Sequence, residues 1–265
     1  PHGALSALSD ASFEDLSASL LGDDLTFANL ETPVDPRKPA SGFPTFNAPL
    51  TYVEAARRGG IEVFSLANNH SLDQGVCGAA ETESAFRRLS LRYRPLYRSG
   101  LEGWSRGLPE YTVIEIKGYT IGFLATTHFL NKWPGDAAMQ RVNLLDARNR
   151  ERFLRELRRR TEEVDLFVLS YHGDAYEEYR RSPSPDKQRL MKSFLDAGVD
   201  IVWGHHPHVP QPVELSRDSG STGVILHSTG NFLTGQGALI DTTAPDPYHR
   251  HAWTNDGFLF RIHLI

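Results

Sequence analysis

Three histidines stand within four residues, at His205, His206 and His208, directly after the apolar run at 199–203. Buried imidazoles without partners carry a desolvation cost, so three of them beside a buried strand indicate a shared ligand. Imidazole suits borderline transition metals such as zinc, manganese and iron. The stretch therefore predicts a metal site, provided that the fold brings further ligands to the same place.

Polar residues also follow other apolar runs that we predict to be strands. They are Asn29 and Glu31 after 25–28, Asn68, Asn69, His70 and Asp73 after 61–67, His172 after 165–171, and His227 and Asn231 after 224–226. Because ligands bind at the carboxyl ends of strands in open α/β sheets, we expect these clusters to converge. Taken singly, some also fit structural roles, since asparagine readily caps strands and forms turns.

The chemistry that such a site favours is phosphoryl transfer. A carboxylate can bridge two metal ions, and two ions about 3.5–4 Å apart can clamp a phosphoryl group. A histidine that is not a ligand could then protonate the leaving oxygen. A serine hydrolase has little support, because Ser71 and Ser228 lack the Gly-x-Ser-x-Gly motif around the nucleophile.

The elements that must position these residues alternate between strands and helices. We predict strands at 25–29, 61–67, 111–116, 119–125, 165–171, 199–203, 224–227 and 258–264, and helices at 50–58, 79–89, 146–163 and 186–197. Lys117-Gly118 is typical of a hairpin turn, and Asp146 is a candidate helix N-cap. The alternation predicts an α/β fold with mixed sheets. Without a convincing linker, we expect a single domain over residues 1–265.

Composition narrows the function classes. A net charge of −5 argues against a dedicated nucleic-acid binder, and no nucleic-acid partner is expected. The single cysteine, Cys77, excludes an intrachain disulfide and a thiolate cluster for zinc. No apolar run reaches the roughly 20 residues of a membrane span. Since the chain begins with Pro1 and is compatible with a fragment, membrane association is expected only through a segment outside it.

Taken together, the strand-end segments resemble the CapA family of poly-γ-glutamate capsule biosynthesis proteins, itself similar to calcineurin-like metallophosphoesterases. The matching segments are 27–33 (FANLETP), 66–75 (LANNHSLDQG), 172–173 (HG), 204–211 (GHHPHVPQ) and 227–232 (HSTGNF). The resemblance implies a four-layer α/β/β/α sandwich with a two-metal site at the strand ends. The first strand of the family, which carries Gly-Asp, is not found here, and we expect it to be missing from this sequence.

The resemblance also assigns roles to individual residues. It implies metal ligands at Glu31 (bridging), Asn69, His172, His206 and His208, with one histidine of the last two for each metal. His70 corresponds to the histidine that protonates the leaving group. Asp73 could orient His70 or cap the following helix. Residues expected to support or replace the ligands are Asn29, Asn68, His205, His227 and Asn231, with Asn68 as the second choice for the amide ligand.

The function implied by the resemblance is capsule biosynthesis with a metal-dependent phosphoesterase-like site. Two divalent ions of manganese, zinc or iron would supply a metal-bound hydroxide, and His70 would act as general acid. The expected substrate is a phosphorylated small molecule or cell-envelope precursor, with the capsule synthesis machinery as a further partner. The alternative is a non-catalytic role in capsule polymer assembly or export, with a structural or vestigial metal site. The expected location is the extracellular face of the cell envelope, with a cytoplasmic location left open.

Overall fold

The computed structural model describes residues 17, 20–101, 110–132, 144–216, 222–234 and 252–263. Its strands are β1 (Phe27–Asn29), β2 (Val63–Ser65), β3 (Tyr97–Ser99), β4 (Thr112–Ile116), β5 (Tyr119–Thr127), β6 (Leu166–His172), β7 (Ile201–His205), β8 (Val213–Ser216) and β9 (Gly223–Leu226). Its helices are α1 (Leu50–Arg58), α2 (Gly75–Arg92), α3 (Ala147–Thr161) and α4 (Pro185–Leu195), with a short 3₁₀ helix at Ala252–Asn255.

The strands form two sheets. The first sheet is parallel, in the order β1-β2-β3. The second has the order β4-β5-β6-β7-β9-β8, in which β5, β6, β7 and β9 are parallel and the two edge strands are antiparallel to their neighbours. Both sheets are therefore built around parallel strands, and each presents its carboxyl ends at one edge.

Apolar packing arranges these elements in four layers. Helices α1 and α2 pack on one face of the first sheet, through residues such as Val53, Phe86 and Phe64. The other face packs against the second sheet, where Val63 and Phe123 are fully buried. Helices α3 and α4 cover the outer face of the second sheet. The predicted four-layer α/β/β/α sandwich with mixed sheets is confirmed.

Local sequence signals explain several element boundaries. Asp146 accepts a hydrogen bond from the Asn149 backbone N–H at 2.9 Å and caps α3 as predicted. Ser184 caps α4 in the same way. Lys117 and Gly118 both have positive φ, at 49° and 86°, as a two-residue hairpin turn that follows the strand twist requires. The predicted hairpin is confirmed.

The prediction of a last strand at 258–264 is wrong for the residues that the structure describes. Residues 258–263 are exposed and form no strand, although the Phe258 N–H donates to the Thr229 carbonyl at 2.8 Å. Alternating hydrophobicity alone does not provide a partner strand, and the segment has none here. Two short strands were not predicted, β3 and β8.

The expected absence of a first strand and the single domain over residues 1–265 both stay predictions. The first sheet contains three strands within the described residues, and the expected absence of an earlier strand is untested. The single domain over residues 1–265 is likewise untested. In the described part of the chain, no helix combines the length and the apolar character needed to cross a membrane.

Candidate metal centre

One acidic and two histidine side chains converge where the two sheets meet. Glu31, His172 and His206 place one ligand atom each within 4.8 Å of one another. His172 Nε2 lies 3.7 Å from Glu31 Oε1. All three were predicted as metal ligands, and the structure brings them together. Carboxylate and imidazole form a donor set that suits zinc, manganese and iron.

Glu31 reaches the cluster from the end of β1. The Leu30 N–H donates to the Ser65 carbonyl at 3.0 Å, which ties the segment to β2. Asn29 Nδ2 donates to Glu31 Oε2 at 3.1 Å, so the other oxygen is left to face the histidines. The side chain is 23% exposed overall, but Oε1 itself is buried. Asn29 therefore contacts the predicted ligand Glu31, and its supporting role stays a prediction.

The two histidines come from adjacent parallel strands. His172 is the last residue of β6 and is fully buried, and His206 follows the end of β7. His206 has φ of 90°, an uncommon conformation for a residue with a side chain, and such strain is concentrated at functional sites. The Phe129 ring packs edge-on against His206, with centroids 4.9 Å apart, and also contacts His172. An aromatic wall therefore covers this side of the cluster.

His208 stands beside the cluster with its ring orientation fixed. Its Nδ1 is 2.9 Å from Asn231 Oδ1, an acceptor that requires a proton on Nδ1. That tautomer leaves the lone pair on Nε2, which is 4.0 Å from Glu31 Oε1 and 3.8 Å from Glu178 Oε1. Holding a histidine through its second nitrogen is typical of metal sites. The predicted supporting role of Asn231 fits this geometry.

The buried polar atoms of the cluster lack the partners that burial demands. Among the described residues, no hydrogen bond of normal geometry reaches Glu31 Oε1, Asn69 Oδ1, or either ring nitrogen of His172 and His206. Most buried polar atoms in proteins are hydrogen-bonded, and each exception calls for an explanation such as an ion. A divalent cation would satisfy several of these atoms together. The residues present therefore fit a metal centre.

Burial also sets the protonation of the cluster. It lowers the pKa of His172 well below its ordinary value, with the neighbouring His206 adding to the effect. The pKa of His206 falls to about 3, mainly through burial and then through His208, and the backbone of Ala175 opposes the shift only in part. Burial raises the pKa of Glu31, against the attraction of His208. Neutral imidazoles are ready to bind a metal, and a cation would favour the Glu31 carboxylate.

His70 and Asp73 form a buried pair next to the cluster. His70 Nδ1 lies 2.8 Å from Asp73 Oδ2, which also accepts the Phe46 N–H at 2.8 Å. The Phe46 ring packs edge-on against the His70 ring at 4.6 Å. Asn131 Nδ2 lies 3.3 Å from His70 Nε2. These contacts suit Asp73 for orienting His70, one of its two predicted roles, and that role stays a prediction.

The two asparagines after β2 differ in what their amide oxygens do. Asn69 Nδ2 donates to Asn131 Oδ1 at 3.2 Å, which leaves the buried Asn69 Oδ1 free for a cation. Asn68 Oδ1 accepts from the His70 N–H at 3.2 Å, and its Nδ2 donates to the Leu30 carbonyl at 2.9 Å. Asn68 thus shapes the loop, and the geometry favours Asn69 as the amide ligand.

The remaining predicted residues take other positions. His205 packs edge-on against Trp203 at 4.1 Å and stacks beside His172 at 6.2 Å. Burial lowers its pKa to about 3. His227 Nε2 lies 2.6 Å from Glu214 Oε1 on β8. The structure therefore places His205 next to the predicted ligand His172 and places His227 beside Glu214, and the roles predicted for both stay predictions.

Sequence reasoning did not identify Asn131, Phe129 and Phe46 as parts of this site. Phe129 and Asn131 follow the end of β5, which is parallel to β6, so they lie at the same edge as His172. The rule that ligands bind at strand carboxyl ends points to them only once β5 is known to be parallel to β6. Phe46 lies in the loop before α1 and had no such signal.

Comparison with known proteins identifies the family. A family model described as bacterial capsule synthesis protein PGA_cap matches residues 6–236. The chain belongs to this family. Among curated relatives of this chain, the capsule biosynthesis protein CapA of Bacillus anthracis is 31% identical over 187 residues, which are 70% of this chain and 43% of that protein. The PGA biosynthesis protein CapA of Bacillus subtilis (strain 168) is 30% identical over 175 residues, 66% of this chain and 43% of the relative.

The predicted relation to CapA is thus confirmed, and the chain spans about two fifths of the length of these relatives. The solved structures that match share less sequence identity with this chain. A hypothetical protein from Thermus thermophilus matches with a TM-score of 0.48 and 20% identity, over 88% of this chain and 73% of the other. The sulfate thiohydrolase SoxB of the same organism matches with a TM-score of 0.45 and 15% identity, over 87% of this chain and 39% of the other.

Proposed function

We propose that this capsule synthesis protein carries a metal-dependent phosphoester hydrolase site. The observation that carries the proposal is the buried cluster of Glu31, His172 and His206, whose ligand atoms lie within 4.8 Å and lack other partners among the described residues. With His208 and Asn69 beside them, these residues would hold two divalent ions of manganese, zinc or iron. Such ions, when bound, supply a Lewis acid for phosphoryl oxygens and lower the pKa of water.

The residues around the cluster supply the proton transfer. Asp73 accepts a hydrogen bond from the Nδ1–H of His70, which orients the ring for proton transfer. His70 Nε2 then gives its proton to the oxygen of the leaving group. Phe46 holds the ring from one side, and Asn131 lies against Nε2 from the other. We assign His70 as the general acid and Asp73 as the residue that positions it.

The substrate class follows from the donor set and from the family. We propose a phosphorylated small molecule or cell-envelope precursor, hydrolysed in capsule biosynthesis and in association with the capsule synthesis machinery. The extracellular face of the cell envelope is the proposed location, with a membrane connection through a segment outside this chain. The proposed partners include no nucleic acid.

Metal content and turnover of matched variants test the proposal. Plasma mass spectrometry should find close to two transition-metal ions per chain after loading with manganese or zinc. We expect His206→Ala to lower the metal content, because it removes a buried ligand. We expect His70→Ala to keep the metals but to lower the hydrolysis of 4-nitrophenyl phosphate by about 10²–10⁴-fold. His263→Ala, at an exposed position, is the matched control.

The outcomes separate the two roles considered for this protein. A wild-type chain that binds no metal after loading would refute the metal site. A chain that binds metal but hydrolyses no phosphoester would support the alternative, a non-catalytic role in capsule polymer assembly or export. Loss of metal from His70→Ala would show that the division between ligands and general acid is wrong.

A further inference from the structure

An open groove of about 380 Å³ lies next to the candidate metal centre. Its lining residues are Tyr179, Arg180, Arg181, Ser182 and Trp253. Both arginines are exposed, and no carboxylate of the described residues forms a salt bridge with either of them. The groove therefore presents two guanidinium groups that keep their capacity to bind an anion. Its volume is at the lower end of the range for ligand pockets, which suits a small group and not a large ligand.

The Arg181 guanidinium is oriented by an aromatic ring. Its central carbon lies 4.3 Å from the centroid of the Trp253 ring, within the range of a cation–π contact. A cation–π contact uses the positive charge of the guanidinium and does not occupy its N–H donors. Those donors match a carboxylate or a phosphate, which arginine binds through two parallel hydrogen bonds. The stacking therefore prepares Arg181 for an anionic partner.

Hydrogen bonds join the walls of the groove to a predicted metal ligand. Asn231 Nδ2 donates to the carbonyl of Thr254, the residue after Trp253, at 2.9 Å. The same amide holds His208 through Oδ1, also at 2.9 Å. Tyr179 also lines the groove, and its ring lies 6.3 Å from the His208 ring, centroid to centroid. A molecule bound at the metal centre could thus extend directly into the groove.

A buried polar network holds the segment that carries the arginines. Gln211 Nε2 donates to the Arg180 carbonyl at 2.8 Å, and Gln211 Oε1 accepts from Lys187 Nζ at 3.0 Å. The Glu178 carboxylate accepts the Tyr179 hydroxyl at 2.9 Å and lies 3.8 Å from His208 Nε2. The groove is therefore preorganised, which lowers the entropic cost of binding.

We propose that this groove binds a second anionic group of the substrate, a carboxylate or a phosphate, through Arg181 and Arg180. The proposal rests on the proposed function for its link to catalysis, since the phosphoester would occupy the metal centre at the same time. The substrate would then carry two anionic groups, one bound at the metal centre and the other in the groove. The groove would thus determine which phosphoesters the site accepts.

Binding to the metal-free chain tests the groove separately from hydrolysis. The chain has four tryptophans, so ¹⁵N labelling gives a small set of indole N–H signals, and Trp253→Phe assigns one of them. The chelator-treated chain is titrated with glutarate as the carboxylate probe and with inorganic phosphate as the phosphate probe. We expect at least one probe to shift the Trp253 signal saturably. Arg181→Gln should weaken that binding by about tenfold or more, because it removes charge-assisted hydrogen bonds.

Two further variants separate the effect of charge from that of the paired donors and provide a control. Arg181→Lys keeps the charge but loses the paired donors and should give intermediate affinity. Arg155→Gln, an exposed arginine on α3, should leave the titration unchanged. A response to glutarate alone would identify a carboxylate-bearing substrate, and a response to phosphate alone a substrate with a second phosphate. No shift with either probe, or equal shifts in wild type and Arg181→Gln, would overturn the proposal even if the metal centre were active.

Discussion

The buried pair of Lys187 and Glu177 gives a prediction whose size follows from the structure. Their side chains are 0% and 1% exposed, and Lys187 Nζ lies 3.3 Å from Glu177 Oε2. Gln211 bridges the two, accepting from Lys187 and donating to Glu177 Oε2 at 3.3 Å. Burial lowers the pKa of Lys187, and the attraction of Glu177 opposes that shift. Lys187→Met would fill most of the volume but leave the Glu177 carboxylate buried without its cation.

Breaking a buried ion pair by removing one partner costs about 3–5 kcal/mol of unfolding free energy. At about 2–4 °C per kcal/mol for a domain of this size, the midpoint of thermal unfolding should fall by roughly 6–20 °C. Urea unfolding, followed by circular dichroism, measures the free energy directly. The double variant Lys187→Met/Glu177→Gln removes both charges and should recover most of the loss, because a neutral amide costs less to bury.

An exposed pair on the same helix provides the matched control. Arg189 pairs with Asp186, and their side chains are 71% and 86% exposed. Arg189→Met should change stability by less than about 0.5 kcal/mol, since exposed pairs contribute little. A loss below about 1 kcal/mol for Lys187→Met would refute the reasoning, because it would mean that Glu177 does not hold a buried charge.

Two further predictions concern the candidate metal centre. Asn231→Ala removes the acceptor that fixes His208, and we expect zinc affinity to fall about 10–100-fold in competition with a chromogenic chelator; unchanged affinity would contradict the assigned tautomer. In the metal-free chain, His205 and His206 have a pKa of about 3 against 6.5 ordinarily, so the unfolded state binds more protons between these values. Stability should therefore fall as pH drops from about 6.5 toward 3, by up to about 1.4 kcal/mol per pH unit for each histidine. Urea unfolding at pH 7 and pH 4 measures this change in the free energy of unfolding. His205→Gln should reduce the dependence of that free energy on pH by the contribution of one proton.

The sequence predicted those parts of the fold that depend on local pattern. Helix α1 and the hairpin turn at Lys117 and Gly118 follow from periodicity and turn chemistry, and the structure has both. Strand β3 was not predicted, because Tyr97–Ser99 has three residues and no measurable alternation. The segment 258–264 shows the opposite error, since its alternation is clear but residues 258–263 pair with no strand in the part of the chain that the structure describes. Pairing depends on the tertiary structure, which a local pattern does not contain.

The same distinction holds within the candidate site. Glu31, His172 and His206 were candidates because each follows a predicted strand and carries a ligand-type side chain, and the family resemblance then assigned them as ligands. Asn131 could not be predicted from its residue type, although it lies against both His70 and Asn69 in the structure. Asparagine in a loop is ordinary, and only the neighbouring strands show that this loop faces the cluster. Its place depends on β5 being parallel to β6, which is a property of the sheet.

The separation of the predicted ligands depends on how the two sheets pack. Glu31 belongs to the first sheet and His172 to the second, so no local motif sets the 3.7 Å between their ligand atoms. Directly behind the cluster, Ser170 Oγ donates to Ser65 Oγ at 2.8 Å across the buried interface between the sheets. Ser65 ends β2, and Ser170 lies two residues before His172 in β6. Because interiors are close-packed, this interface fixes the distance between the sheets before any ion binds. The fold therefore preorganises the donor set, which is the condition under which a metal site binds without rearranging the chain.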